Sequence, residues 1–158
     1  KLIMENFRRF VTESEGAGNQ VKFSGILKIM PSQDIIGQAQ PLIASLPPEA
    51  VPLGDDRLHV TLIHQSILKP YRKMLKKMSK AGELPPAPAV VLDSQIEERT
   101  DEVQGRKSWV AWVQNQDDMR DYVNQIMEIV GGQPNPEPNR VFHISLANLT
   151  GNPGDSVK

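Results

Sequence analysis

The sequence predicts an α+β fold built on antiparallel sheets, and three observations carry that expectation. Short apolar runs of strand composition alternate with helical patterns, in the order strand, helix, strand, and that order occurs twice along the chain. No glycine-rich phosphate loop follows any strand, which removes the main signature of a doubly wound nucleotide fold. A length of 158 residues suits one domain or two small lobes whose core needs no covalent staple.

Residues 1–20 read as an N-terminal appendage and linker, and residues 21–158 as one domain. Leu2, Ile3, Phe7, Phe10 and Val11 share helical spacing, and a polar, Gly-rich stretch from Glu13 to Gln20 follows. The apolar run Leu2–Ile3–Met4 is too short for the core of a secretory signal. Phe23 to Met30 reads as a strand closed by Pro31. Ser32 then caps a helix carrying Ile35, Ile36, Ala39, Leu42, Ile43 and Leu46 on one face. Pro41 inside that pattern predicts a kink or a restart, and Pro47–Pro48 stops it. Leu58 to His64 is the next strand. Pro70 opens a helix with Tyr71, Met74, Leu75 and Met78 inward. The Pro-rich connection Leu84 to Pro88 divides the chain near its midpoint.

The second half repeats the rhythm. Val90 to Glu97 and Lys107 to Gln114 read as strands joined by a turn over Thr100–Gly105. Asp117 or Asp118 caps a helix with Tyr122, Val123, Ile126, Met127 and Val130 inward, and Gly131–Gly132 ends it. A loop from Pro134 to Pro138 leads to the last strand, Val141 to Leu149.

Composition narrows the function. Cysteine is absent, which excludes a disulfide framework, thiolate metal sites and a thiol nucleophile. Eighteen basic against 19 acidic residues give a net charge of −1, which argues against a long nucleic-acid partner. No apolar run approaches the roughly 20 residues of a membrane span, so no membrane partner is expected. Lys69, Arg72, Lys73, Lys76, Lys77 and Lys80 form either a solvated helix face or a surface for a polyanion.

Two of the three histidines sit in one local pattern: His59-Val60-Thr61-Leu62 and His143-Ile144-Ser145-Leu146. Each reads imidazole, apolar, hydroxyl, apolar. Strand residues i and i+2 share a face, so each segment presents an imidazole beside a hydroxyl, with its apolar residues turned to a core. Imidazole titrates near neutrality, so one ring can take a proton while the other gives one. Two hydroxyls can hold two oxygens of a single phosphate. Such a site performs phosphoryl transfer with no metal and no cofactor, and His59, Thr61, His143 and Ser145 are its catalytic candidates. His64 lies an odd number of residues from His59, faces the other way and reads as structural. A zinc site is disfavoured, because no carboxylate is placed with the histidines. Trp109 and Trp112 face opposite sides of their strand, one toward the core and one free to stack on a base. Asn148, followed by Asn152 in a polar tail, serves either a base edge or a turn.

Paired His-apolar-hydroxyl-apolar motifs, one in each half of a chain of this length, resemble the 2H phosphoesterase superfamily. The resemblance covers about residues 22 to 156. It implies two pseudo-symmetric lobes of antiparallel sheet, helices outside and motif strands flanking a central groove, so that residues 21–158 are one bilobal domain. Ser145 stands where threonine is more usual and keeps the hydroxyl. The tail HISLANLTGNPGDSV further resembles the small phage-encoded branch that destroys the cyclic-oligonucleotide signals of bacterial CBASS defence. That branch implies a phosphodiesterase of cyclic di- or trinucleotides in the cytoplasm of an infected host cell. Trp109, Trp112 and Asn148 are the substrate-binding candidates. The same four catalytic residues would also serve an enzyme that opens 2′,3′-cyclic phosphates at RNA ends. A non-catalytic nucleotide-sequestering protein would have no need of a matched acid and base.

Overall fold

A computed structural model describes residues 19–157. The helix expected over Leu2–Val11 lies outside the described residues. The fold is α+β with two antiparallel sheets. In chain order the elements are β1 (Val21–Phe23), β2 (Leu27–Ile29), α1 (Gln33–Ala44), β3 (Val51–Pro52), β4 (Val60–Ile63), α2 (Gln65–Leu68), α3 (Arg72–Ala81), β5 (Leu92–Asp101), β6 (Arg106–Val113), α4 (Gln116–Val130) and β7 (His143–Asn148). One sheet has the order β1-β2-β4 and the other β3-β7-β6-β5. In both halves, therefore, a hairpin is followed by a helix and then by a motif strand, which lies beside the second strand of the hairpin.

The chain forms two compact units that do not follow its halves. One holds the described residues up to Met30, Leu62–Ala89 and Asp117–Pro138; the other holds Pro31–Thr61, Val90–Gln116 and the described residues from Asn139. Helix α1 thus groups with the sheet of the second half, and α4 with strands of the first.

In the first unit, the strand expected over Phe23–Met30 is two strands. Ser24-Gly25 turns the chain, with Gly25 at φ +90° and the Ser24 N–H donating to the Ile26 carbonyl at 3.0 Å. A positive φ costs glycine nothing, so the turn wins over the apolar run. Helix α3 packs against β1, and the Phe23 N–H donates to Ser79 Oγ at 3.3 Å. Its buried stripe is narrower than expected. A 3₁₀ turn over Lys69–Tyr71 sets the helix phase; Leu75 is buried, Tyr71 and Met78 are half-buried, and Met74 is 47% exposed rather than inward.

Helix α4 buries Met119, Tyr122, Val123, Ile126, Met127 and Val130, the face its period demands. The helix begins at Gln116, so Asp117 and Asp118 occupy its first turn rather than the cap, where their charge meets the positive end of the helix dipole. Gly131, at φ +78°, closes it: the Gly131 N–H donates to Glu128 O at 3.2 Å and the Gly132 N–H to Met127 O at 2.8 Å. That pair of bonds is the Schellman pattern. The buried Tyr122 hydroxyl donates to the Pro85 carbonyl and ties α4 to the Pro-rich connection; burial raises its pKa.

In the second unit, Ser32 caps α1 by accepting the Ile35 N–H at 3.2 Å. Ile35, Ala39 and Leu42 are buried, and α1 lies against β5 and β7. Gln38 fixes it there, donating to Val90 O at 2.7 Å and accepting the Leu92 N–H at 2.8 Å. The helix runs unbroken through Pro41, against the kink expected from sequence. Pro41 and Gly37 are both exposed, so the carbonyl that loses its partner reaches water. The β5–β6 hairpin pairs Asp101 with Arg106, and β6 pairs with β7 through Trp112↔His143 and Val110↔Ser145.

Pro41 is the fold's most evident unsupported cost. Pro41→Ala is expected to restore an intrahelical bond and raise stability by about 1–3 kcal/mol. The midpoint of urea unfolding measures this; an unchanged or lower midpoint would show that the ring favours the native chain by restricting the unfolded one.

Candidate active site

The duplicated motif keeps its pattern in three dimensions. His59 and Thr61 are half-buried, while Val60 and Leu62 are 0% and 1% exposed. His143 and Ser145 are half-buried, and Ile144 and Leu146 are both 0% exposed. His143 is the first residue of β7, and His59 immediately precedes β4, behind a 3₁₀ turn over Asp55–Arg57. Each imidazole thus stands at the leading end of its strand with the hydroxyl two residues on. All four residues belong to the second compact unit. Neither Thr61 nor Ser145 uses its hydroxyl in a hydrogen bond among the described residues, so both remain available to a ligand.

Strand register builds the surroundings of His143. Glu97 lies opposite Val110, Arg99 opposite Ser108, Val110 opposite Ser145 and Trp112 opposite His143. Cross-strand partners share a face. Glu97 and Arg99 of β5, Trp112 of β6, and His143 and Ser145 of β7 therefore line one side of the sheet. Ala111 and Ile144, each 0% exposed, occupy the other. The Trp112 indole meets the His143 ring edge-on, with centroids 5.5 Å apart and planes at 78°. Its Nε1–H donates to Glu97 Oε1 at 3.0 Å. A hollow of about 250 Å³ opens beside Trp112, lined by Asp93, Gln95, Ile96, Glu97 and Glu98.

His143 Nδ1 lies 3.0 Å from the Val141 carbonyl, which only accepts, so Nδ1 carries the proton. The neutral ring therefore presents Nε2 as a proton acceptor. Burial pushes the His143 pKa down; the Val141 bond opposes this, Arg99 and Arg140 push further down, and Glu97 opposes them. A half-buried imidazole held neutral at pH 7 suits a general base. Arg99, Arg140 and Glu97 are charged neighbours of His143 that sequence reasoning missed. Glu97 and Arg99 sit in a charged hairpin strand that reads as a solvated face, and the i, i+2 spacing gives no hint of the histidine two strands away.

Two of the expected substrate contacts are elsewhere. Trp109 is 2% exposed and belongs to the core, while Trp112 is the half-exposed indole. Asn148 is 0% exposed. Its Nδ2 donates to Asn152 O at 2.6 Å and Ser156 Oγ at 3.1 Å, and its Oδ1 accepts the N–H groups of Thr150 at 3.0 Å and Gly151 at 2.6 Å. These bonds use the whole capacity of a carboxamide. Asn148 closes the turn after β7 and has nothing left for a base edge. His64 is exposed and caps α2, its Nδ1 accepting the Ser66 N–H at 3.1 Å.

Among the described residues, no group of three or more His, Asp or Glu side chains is arranged to hold a metal ion. No helix among them is long and apolar enough to cross a membrane. Comparison with family models, with curated proteins and with solved structures gives no match. The functional reading therefore rests on the motif and its geometry.

Burial predicts the titration of His143. Followed by NMR, its ring should titrate below the ordinary value of about 6.5. Glu97→Gln should lower that midpoint further and Arg99→Ala should raise it; shifts of the opposite sign would mean that these groups do not face the ring. The unfolded chain takes up this proton more readily than the fold. The stability His143 contributes is therefore complete above about pH 6.5 and is lost as pH falls through that value toward the lowered one. A second expectation concerns the turn after β7. Asn148→Ala removes the four hydrogen bonds of a buried carboxamide and should cost about 1–3 kcal/mol in chemical unfolding.

Proposed function

We propose that this protein is a metal-independent phosphodiesterase of the two-histidine kind, a 2H phosphoesterase that cleaves 3′,5′ linkages of cyclic di- or trinucleotides. One observation carries the reading. Both halves place a half-buried histidine at the leading end of a strand, a hydroxyl with no other partner among the described residues two positions on, and buried aliphatic residues between and beyond them. The shared order of hairpin, helix and motif strand supports a pseudo-symmetric pair of half-sites, as in that superfamily.

The environment of His143 favours it as the first base. Its Nε2 removes the proton of a ribose 2′-OH, and that oxygen attacks the adjacent phosphorus. His59, protonated, gives its proton to the departing 5′ oxygen as the P–O5′ bond breaks. A 2′,3′-cyclic phosphate and a free 5′-OH result, and the two rings have exchanged protonation states. Water can then open the cyclic phosphate with the roles reversed. Thr61 and Ser145 donate to the nonbridging oxygens, where negative charge grows. Arg99 and Arg140 add positive charge near His143 and favour an anionic substrate. Trp112 and the hollow beside it supply an aromatic face and acceptor groups for a nucleobase. In phage-infected cells, such an activity would remove the cyclic-oligonucleotide signal on which CBASS defence depends.

The test is turnover of cyclic dinucleotides in the presence of EDTA. His59→Ala and His143→Ala should each lower the rate by about 10²–10⁴ and the two hydroxyl variants by less, with His64→Ala near wild type. The rate should be bell-shaped in pH. If His143 is the base, the acidic limb should fall below about pH 6.5, since its pKa is depressed. A substrate with 2′-deoxyribose at the attacked linkage should bind without being cut. Cleavage of the deoxy substrate at a matching rate would replace 2′-OH attack with water attack. Loss of activity on chelation, restored by a divalent ion, would overturn the metal-independent mechanism. Turnover only of 2′,3′-cyclic phosphate RNA ends would reassign the substrate.

A further inference from the structure

The basic stretch Lys69–Lys80 begins at a cavity in the first unit. The cavity measures about 480 Å³, and its walls are Gly25, His64, Gln65, Ser66, Lys69 and Arg72, with Leu68 as the apolar side chain. Pockets that hold small molecules run from about 300 to 1,000 Å³. Its polar walls are rich in donors. Lys69 brings three N–H groups and Arg72 five. Neither makes an ion pair or a hydrogen bond among the described residues.

His64 adds a further donor. Its Nδ1 accepts the Ser66 N–H at 3.1 Å and lies 2.9 Å from Ser66 Oγ. A ring nitrogen that accepts a backbone N–H carries no proton, so the neutral ring keeps its hydrogen on Nε2. Glu137 also reaches this segment, accepting the His64 N–H at 3.0 Å, but among the described residues no carboxylate lines the cavity. Gly25, at φ +90°, brings bare backbone to the wall. A bare phosphate would leave most of the volume empty, which leaves room for an attached sugar.

We propose that this cavity binds a phosphate dianion, the terminal phosphate monoester of a small soluble nucleotide, between Lys69 and Arg72. The cations supply charge-assisted bonds to the phosphate oxygens, with the His64 Nε2–H as a neutral donor. None of the lining residues belongs to the His59/Thr61 or His143/Ser145 motifs, so the site stands whether or not the phosphodiesterase reading does.

The experiment is an amide NMR titration of the full chain with 5′-AMP, with adenosine as the phosphate-free probe. Saturable shifts at Gly25, Ser66, Lys69 and Arg72 are expected with 5′-AMP and not with adenosine. Lys69→Ala combined with Arg72→Ala should weaken binding about tenfold or more, since both remove charge-assisted bonds. Lys76→Ala combined with Lys77→Ala, farther along α3, should change it by no more than about twofold, because separated surface charges are screened. Four results would overturn the proposal. They are no saturable shift in the unsubstituted chain, an equal response to adenosine, equal losses in the two double variants, and binding to phosphatidic-acid vesicles with no response to 5′-AMP.

Discussion

The register between β6 and β7 is the constraint on which the rest of the site depends. Pairing Trp112 with His143 and Val110 with Ser145 sets the imidazole and the hydroxyl on the side that also carries Glu97 and Arg99. Strand side chains alternate with a period of two, so a slip of one residue would bury His143 and Ser145 and expose Ile144 and Leu146. The apolar members of the motif resist that slip, because each is fully withdrawn from water. A register shift between Trp109 and Val110 makes Leu146 the extra residue. Beyond it, Asn148 pairs with Ser108 on the same side as the histidine. There its carboxamide gathers the turn that holds the end of the strand, rather than entering the core behind it.

The two halves share a motif, and the surroundings of His143 are drawn from outside it. His143 has an aromatic edge on one side, a carbonyl fixing its tautomer and two guanidinium groups nearby. That environment favours one protonation state. A duplicated strand can supply two identical groups, but acid–base chemistry requires them to differ at a given pH. The groups that set the character of His143 come from β5 and β6 and from Arg140, all outside the repeated tetrapeptides. Repetition provides the groups, and the flanking sheet gives one of them its character.

Much of this was legible in the sequence. The hydrophobic period of α4 gave five of its six buried residues, all but Met119, and Ser32 and Gly131 marked real helix ends. The alternation in both motifs gave the half-buried and buried positions. Local signals failed where a competing term was non-local or concerned solvent. Pro41 was tolerated because the freed carbonyl faces water, which no helical pattern reveals. Ser24-Gly25 overrode an apolar run because turn formation needs only one residue of positive φ. Trp109 and Trp112 were separable into two faces, but which was buried depended on partners in β7. Asn148 looked like a ligand group because its four hydrogen-bond partners lie in a tail whose fold the sequence does not announce. Arg99 and Glu97 meet His143 only through two strand pairings.

The interleaving of the chain through its two units sets an order of assembly. The first unit takes its final segment from Asp117–Pro138, while the second needs the chain from Asn139 onward. During synthesis the first unit therefore has all its residues before the second does. The last strand to emerge brings both His143 and Ser145. Each unit also joins segments far apart in sequence, and closing those long loops costs entropy before any contact rewards it. A chain stopped short of β7 would leave β6 as an open sheet edge, with Trp112 on it and no strand to cover it. A chain halted there is thus adhesive, and pairing of β7 with β6 removes that condition.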